Sequence, residues 1–557
     1  MGLRSYASRQ SVELRTAAVS IVAVLLSFGC GLWLENAAHL NVDAPLLAVV
    51  LTLTLARTQR SADLKARLIG LVVLPVIGVA AAEIGRLMIQ HPNVGDPLFV
   101  LAVVLSIWLR RFGRRIAKAG TLVALPFIAI LVTPVPLPPG HGATLWSAAI
   151  AVIAWFWVSV VQLAAHHTGF LPVKAEAQTH AAADSAAVAK PSSSLRPPAG
   201  TRMAIQMGLA LGAAFVIGRY AFTPRWTWMV LTAFIVCSGN RGRGDVVYKS
   251  LLRIAGAAFG TVVATLLAGL FGPHDARSVV LIFVVLAVAN WLRSLSYAYW
   301  AGCVTAVLSL LQGYFGETST SLLLTRLEEI LVGAAIGVLV SWLVLPVQTN
   351  KVVRRRIADA LATLTDLLAA VRREPERLSD LGARFEYDLE QLGQVAAPIR
   401  AHRLFLHRLP RHRLLSRFGA GRLDLDSAHL ADAIDAVRRC GEPTRVLVQE
   451  AARLGEVLTD RPTAGLAGAV TGNVVGARRA LGRRPGAGYQ RPQFVEDTED
   501  DAENDAEAVG AQGRVRAALL EIDETMSVVT GVFAPRPRAE PEPESIPESE
   551  SAPVSAL

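Results

Sequence analysis

Long apolar runs recur through the first 347 residues, each bounded by charged or Pro/Gly-containing loops. They fall at 16–34, 43–56, 68–88, 97–109, 117–137 and 143–165. A second set follows at 203–221, 225–239, 251–272, 277–292, 296–316 and 327–347. A helix needs about 17–25 apolar residues to cross the hydrocarbon core of a bilayer, so most of these runs predict spanning helices, with 43–56 and 97–109 short for the task. Composition agrees: only 18% of the 557 residues are charged, against about 25% in soluble domains. A water-soluble globular fold is excluded for this part of the chain.

Loop charge sets the expected orientation. With the N-terminus inside, inner segments carry 25 Lys and Arg near the span ends, among them Arg57, Arg67, Arg110, Arg253, Arg293 and Arg354–Arg356. The outer segments carry five: Arg86, Arg219, Arg225, Arg277 and Arg326. That asymmetry predicts a multi-pass protein of the inner or plasma membrane with both termini cytoplasmic. The first run is longer than a signal-peptide core of about 7–15 residues and is read as a retained span. Residues 496–557 hold 16 acids and 4 bases, which leaves +22 on the rest of the chain. The basic residues sit in short loops that duplex DNA could not reach, so no nucleic-acid partner is expected.

The two sets of runs read as copies. Trp108-Leu109-Arg110 recurs as Trp291-Leu292-Arg293, Ala119-Gly120 as Ala301-Gly302, and Arg67-Leu-Ile-Gly70 as Arg253-Ile-Ala-Gly256. Each set has an even number of spans, so the second enters the membrane in the same sense as the first. Parallel repeats of this kind are related by an axis along the membrane normal. The expected fold is all-α: two parallel six-helix repeats, about twelve spans, plus a cytoplasmic α-helical C-terminal domain.

The expected divisions are a first repeat at 1–165, a flexible Ala/Ser/Pro-rich linker at 166–200 and a second repeat at 201–347. A cytoplasmic helical domain at 348–485 and an acidic disordered segment at 486–512 follow. An amphipathic helix at 513–533 precedes a disordered Pro/Glu/Ser tail at 534–557.

Catalytic motifs do not survive inspection. Gly244 to Ser250 has Tyr248 where a phosphate-wrapping loop needs glycine. His402, His407 and His412 are five apart and lie among arginines, a poor setting for a metal. Cys30, Cys237, Cys303 and Cys440 form no paired motif and read as small buried hydrophobes. Glu35 and Asp43 share the first outer loop, but the outer loops are too short for a glycosyltransferase. No enzyme activity, cofactor or metal is expected.

Polar residues at the spans carry more information, because charge within a membrane is costly. Glu83, with Arg86 one turn on, reads as a proton-coupling group or as an interfacial ion pair. Arg67 and Arg253 start their spans and read as anion ligands or as topogenic charges. Arg326, Glu328 and Glu329 read as a solvated helix start. The second span of each copy begins beside a proline, in Asn41-Val-Asp-Ala-Pro45 and in Thr223-Pro-Arg-Trp226-Thr-Trp228. Pro-interrupted segments at matching places in two repeats point to a transport site; proline is also ordinary punctuation at a helix start. Trp226 and Trp228 could stack on an aromatic substrate or anchor the interface.

The second copy resembles a known family. Trp226–Val236, the run Arg253-Ile-Ala-Gly256-Ala-Ala-Phe-Gly260-Thr261, Asn290-Trp291, Tyr297, Arg326-Leu-Glu-Glu-Ile-Leu-Val-Gly333 and Pro346 follow one another. This order is similar to the fusaric acid resistance-like membrane domain of the aromatic acid exporter superfamily, with plant malate channels as distant relatives. The family signature is close to Arg-x-x-Gly-Thr-x-x-Gly; here Ala257 replaces the threonine, and the first copy keeps only Arg67 and Gly70. Gly256, Gly260, Thr261 and Gly333 are the structural part of the match, small residues that let helices approach closely.

The resemblance implies efflux of small organic, in particular aromatic, acid anions. On that reading Arg67, Arg110, Arg253 and Arg293 form a basic inner vestibule that concentrates an anion. Trp226, Trp228, Asn290 and Tyr297 join them as substrate ligands, and Glu83 relays a proton. No ATP-binding motif is visible, so an ion gradient or the membrane potential would drive transport. The expected partners are the anion and membrane lipids, with homo-oligomerisation left open. The alternative reading is a membrane scaffold of the cell-envelope machinery without transport activity.

Overall fold

The computed structural model describes residues 3–38, 43–59, 64–112, 114–132, 141–171, 197–222, 226–267, 272–316, 320–408, 421–454, 461–484, 488–492 and 506–533. Most of the expected linker at 166–200, half of the acidic segment at 486–512 and the whole tail at 534–557 lie outside them, as do Asn41, Val42, Thr223, Pro224, Arg225 and His412. Among the described residues every regular element is helical. The chain divides into two compact units, one of Met1–Val353 with Ala397–Arg408, the other of Arg354–Ala396 with Leu409–Leu557.

In the first unit the helices are α1 (Leu3–Ala38), α2 (Asp43–Thr58), α3 (Leu64–Gln90), α4 (Pro92–Leu109), α5 (Arg114–Val132) and α6 (His141–His167). Then come α7 (Ala199–Ala221), α8 (Thr227–Cys237), α9 (Arg243–Leu267), α10 (Ala276–Leu292), α11 (Tyr297–Tyr314) and α12 (Thr320–Leu343). By length and composition, six described segments could cross a membrane: Gln10–Ala38, Arg67–Gln90, Pro92–Phe112, Leu145–His167, Gly200–Ala221 and Arg243–Ala264. Ala44–Thr58, Gly120–Leu131, Thr227–Cys237 and Ala276–Leu292 are apolar but shorter. At 1.5 Å per residue the 11 residues of α8 reach roughly 16 Å, about half of the hydrocarbon thickness. Such a helix needs neighbours, and α8 is packed among α5, α7, α9 and α12.

The surface of this unit is apolar where a soluble protein would be polar. Val72, Val76, Leu101, Leu209, Val216, Phe259, Leu266 and Val280 all point outward. Side chains like these face lipid at no cost, whereas in water so large a patch would drive association.

Helix packing follows one pattern twice. In the first six helices α1 packs on α2 and α6, α3 on α5 and α6, and α4 on α5. In the next six α7 packs on α8 and α12, α9 on α11 and α12, and α10 on α11. Three helix pairs join the sets, α1 with α10, α4 with α7 and α5 with α8, and the first two are matched across the pattern. Each of these two carries an edge-on phenylalanine pair: Phe28–Phe283 at 4.9 Å and Phe215–Phe99 at 5.6 Å.

The closest crossing is α9 over α11. A Cβ on Gly256 would strike the Ala298 carbonyl oxygen and lie 2.8 Å from Ala301 Cβ. One on Gly260 would strike the Gly302 carbonyl oxygen and lie 2.8 Å from Thr305 Cβ. Gly333 plays the same part between α12 and α8: a Cβ there would lie 2.6 Å from the Met229 carbonyl oxygen. Thr261 bonds within its own helix, to the Ala257 carbonyl at 2.8 Å.

The second unit holds most of α13 (Thr349–Arg373) and of α14 (Leu378–Arg408), then α15 (Gly421–Arg439), α16 (Gly441–Leu454), α17 (Arg461–Leu481) and α18 (Ala506–Phe533). α18 packs against α15, α16 and α17 and buries Val515, Leu519, Ile522, Met526, Val529 and Phe533, a heptad-like stripe. Several of its polar groups are matched. Asp523 accepts from Asn473 Nδ2 at 2.7 Å and from the Tyr489 hydroxyl at 2.6 Å. Arg514 forks onto Glu450 at 2.9 and 3.0 Å. Burial pushes the Cys440 thiol up to about 12, so it stays protonated beside Thr525 Oγ1 at 2.8 Å. Among the described residues of this unit, Leu520 is the one large hydrophobic side chain left exposed.

Three outcomes are expected. Gly260→Val should cost about 1–3 kcal/mol or more in thermal unfolding of the detergent-solubilised protein. Gly212→Ala, where nothing lies within 4 Å of the added carbon, should be neutral or gain up to about 1 kcal/mol. In the second unit, Arg514 holds the Glu450 carboxyl below its ordinary value of 4.5. The pair therefore stabilises fully above that pH and is lost as pH falls through the lower, folded value. Hydrogen exchange of α16 should be faster in Arg514→Gln than in wild type at pH 7, and the difference should shrink as pH drops below 4.5.

Candidate functional site

A cavity of about 590 Å³ lies between α1, α2 and α8–α11. Its walls are apolar, with Phe28, Phe234, Phe283, Trp300, Tyr314 and Phe315 supplying aromatic faces. Both of the short second helices line it, α2 from Pro45 to Thr58 and α8 with Leu231, Phe234 and Ile235. Arg57, Lys249, Arg253 and Arg293 also line it, and among the described residues no carboxylate does. These four cations share one end of the bundle, where α2 and α10 finish and α9 and α11 begin.

At that end Trp300 lies between two guanidinium groups, Arg57 at 3.8 Å from its ring centroid and Arg293 at 5.2 Å. Arg57 Nη2 also donates to Asn290 Oδ1 at 3.3 Å. Lys249 is engaged locally, with Asp245 at 3.1 Å and the Ser238 carbonyl oxygen at 3.2 Å. Arg253 is the buried member of the four, 2% exposed; its Nε, like that of Arg57, has no hydrogen-bond partner among the described residues, and neither has the Tyr297 hydroxyl on the facing helix. Buried polar groups are nearly always bonded, and a buried cation is tolerated when an opposite charge meets it. The arrangement can therefore take an anion: cation and hydroxyl donors at one end, aromatic and aliphatic surface beyond.

The other residues singled out from sequence fall elsewhere. Arg67 is 4% exposed and donates to the Ser159 carbonyl at 3.0 Å and to Gln162 Oε1 at 3.3 Å, which ties α3 to α6. Arg110 packs beside Gly120 at the end of α4. Neither lines the cavity. Trp226 is buried against Phe215, under Arg219 at 3.9 Å. Trp228 stacks on Arg326 at 4.5 Å. Glu83 pairs with Arg86 at 2.8 Å with both side chains largely exposed, away from the cavity lining. The solvated helix start read at Arg326, Glu328 and Glu329 lies more than a turn inside α12; Arg326 is 5% exposed and Glu329 0%, while Glu328 is exposed.

Sequence reasoning missed three features. Arg57 counted only as a topogenic charge, and Trp300 was not singled out. A buried ion pair joins Asp96 to Arg219 at 2.7 Å, with the Met88 carbonyl oxygen as a further acceptor at 2.7 Å. That pair sits beside a dense cluster of Met88, Phe99, Phe127, Met207, Phe215 and Trp226. This cluster draws its side chains from α3, α4, α5, α7, α8 and α12.

A bundle of apolar, lipid-facing helices around a cavity with cationic donors is the build of a membrane protein of the transporter type. Residues 209–340 match the family described as fusaric acid resistance protein-like, the family that the motifs of the second copy resemble. No curated protein matches the chain.

The buried pair and the exposed pair should behave differently. Asp96→Ala strands the Arg219 charge and should lower the thermal midpoint of the solubilised protein by several degrees more than Glu83→Ala does.

Proposed function

We propose that this protein exports small organic acid anions, aromatic ones in particular, through the cavity between α1, α2 and α8–α11. The observation that carries the reading is Arg253: a buried guanidinium on the cavity wall, with an unbonded Nε. Around it Arg57, Arg293, Tyr297 and Trp300 supply further donors and an aromatic face, and a carboxylate on a planar ring complements both. The family match over 209–340 supports the same class. Inner-loop charge puts the cationic end at the cytoplasmic side, where it would draw anions from that compartment. The membrane potential, negative inside, favours their exit and is worth about 2.3 kcal/mol per charge per 100 mV.

The two-fold packing pattern and its paired phenylalanines support a duplicated origin with parallel repeats. The halves have diverged. One interface encloses the cavity, and its counterpart is filled by the Phe99–Trp226 cluster. Transport then runs through one path per chain. A proton relay at Glu83 would have to work from outside the cavity, so coupling through this residue is the weaker part of the reading.

The test is flux in liposomes. Purified protein should carry labelled benzoate down a potential set by potassium and valinomycin. Arg253→Gln should cut the rate at least about tenfold, equivalent to 1.4 kcal/mol, with thermal stability nearly unchanged. Undiminished flux in this variant would remove the arginine from the path, and absence of flux in wild type across a panel of organic acids would favour the scaffold. Glu83→Gln should leave potential-driven flux intact; its loss would restore the relay.

A further inference from the structure

In the second unit α17 ends in a turn of unusual composition. Arg483 has φ 52°. Its N–H donates to the Ala480 carbonyl at 3.0 Å, and the Arg484 N–H donates to the Arg479 carbonyl at 2.9 Å. This crossed pair closes a helix through a left-handed residue, a place that glycine normally takes. Gly482 lies one position earlier, and an arginine carries the strained conformation instead. The turn folds Arg484 back beside Arg478 and Arg479. Arg354 of α13 reaches the same place, and the four arginines line a cleft of about 450 Å³ floored by Val475 and Leu481.

No carboxylate lines this cleft among the described residues. Three arginines elsewhere in the unit meet carboxylates: Arg377 with Glu374, Arg445 with Glu386 and Glu442, Arg514 with Glu450. The four in the cleft have no ion pair to a described residue; Arg354 instead lies over the Phe533 ring at 5.2 Å. The carbonyl end of a helix attracts cations in its last turn, which accounts for Arg478 and Arg479. It accounts neither for Arg354, from another helix, nor for Arg484, beyond the end. Converging like charges repel unless an anion sits among them.

We propose that this cleft binds a multiply charged phosphate group, carried either by a soluble phosphate compound or by a phosphomonoester lipid headgroup. A phosphate presents several acceptor oxygens in the geometry that guanidinium forks match two at a time. A single carboxylate would satisfy at most one of the four. The site is separate from the cavity of the first unit and from the transport reading.

The test uses the full chain in two settings. In neutral detergent, inorganic pyrophosphate is titrated by calorimetry. In nanodiscs of phosphatidylcholine with or without phosphatidic acid, hydrogen exchange is followed over 478–484. Arg479→Gln/Arg484→Gln is compared with Arg377→Gln/Arg445→Gln, which removes the same charge elsewhere in the unit. The proposal expects saturable, single-site pyrophosphate binding that weakens about tenfold or more in the first variant and holds in the control. Protection by phosphatidic acid alone, lost in the first variant only, would also support it and would assign the lipid source. Absence of both signals, or equal losses in the two variants, would overturn it.

Discussion

The crossing of α9 over α11 is the contact on which the site depends. Gly256 and Gly260 have no room for a methyl group against Ala298, Gly302 and Thr305, so the two backbones touch. Arg253 lies one turn before Gly256, Tyr297 lies one turn before Ala301, and Trp300 directly precedes Ala301. The crossing thus delivers a cation, a hydroxyl and an indole to one wall of the cavity. Small residues do this without a hydrophobic drive, since in lipid the gain comes from close packing of the helices themselves. The glycines and Arg253 form one device, a near-contact that aims a charge.

The second constraint is the cost of charge in an apolar bundle. The first unit meets it in two ways. Arg67 and Arg219 are spent on structure, bonded to Gln162 and Ser159 and to Asp96 and Met88. Arg57, Arg253 and Arg293 line a cavity. The arginines that the sequence motifs pair, Arg67 with Arg253 and Arg110 with Arg293, therefore have different fates. The same contrast holds for volume. The Phe28–Phe283 pair borders an open space, whereas Phe99–Phe215 belongs to a filled one.

How much of this was legible from sequence follows from range. Apolar runs and loop charge are local signals, and the helices fall where those signals put them, including the short ones beside Pro45 and at Trp226–Trp228. Arg253, Tyr297 and the glycines were found because a motif holds them within one stretch. Arg57 escaped because its partner Asn290 is 233 residues away. Arg67 ranked with Arg253 because the repeat equates them; its bond to Gln162, 95 residues on, could not be read from the chain. Trp226 reads from sequence as a substrate platform or an interfacial anchor and is a core residue, since the cluster that buries it is assembled from six helices.

The central claim is a single anion cavity per chain, open in one half and filled in the other. The most direct measurement is the stoichiometry of labelled benzoate bound to purified protein at equilibrium. One saturable site per polypeptide, competed by other aromatic carboxylates, is the expected result. Two equivalent sites per polypeptide, or no saturable binding of any aromatic acid, would contradict the account.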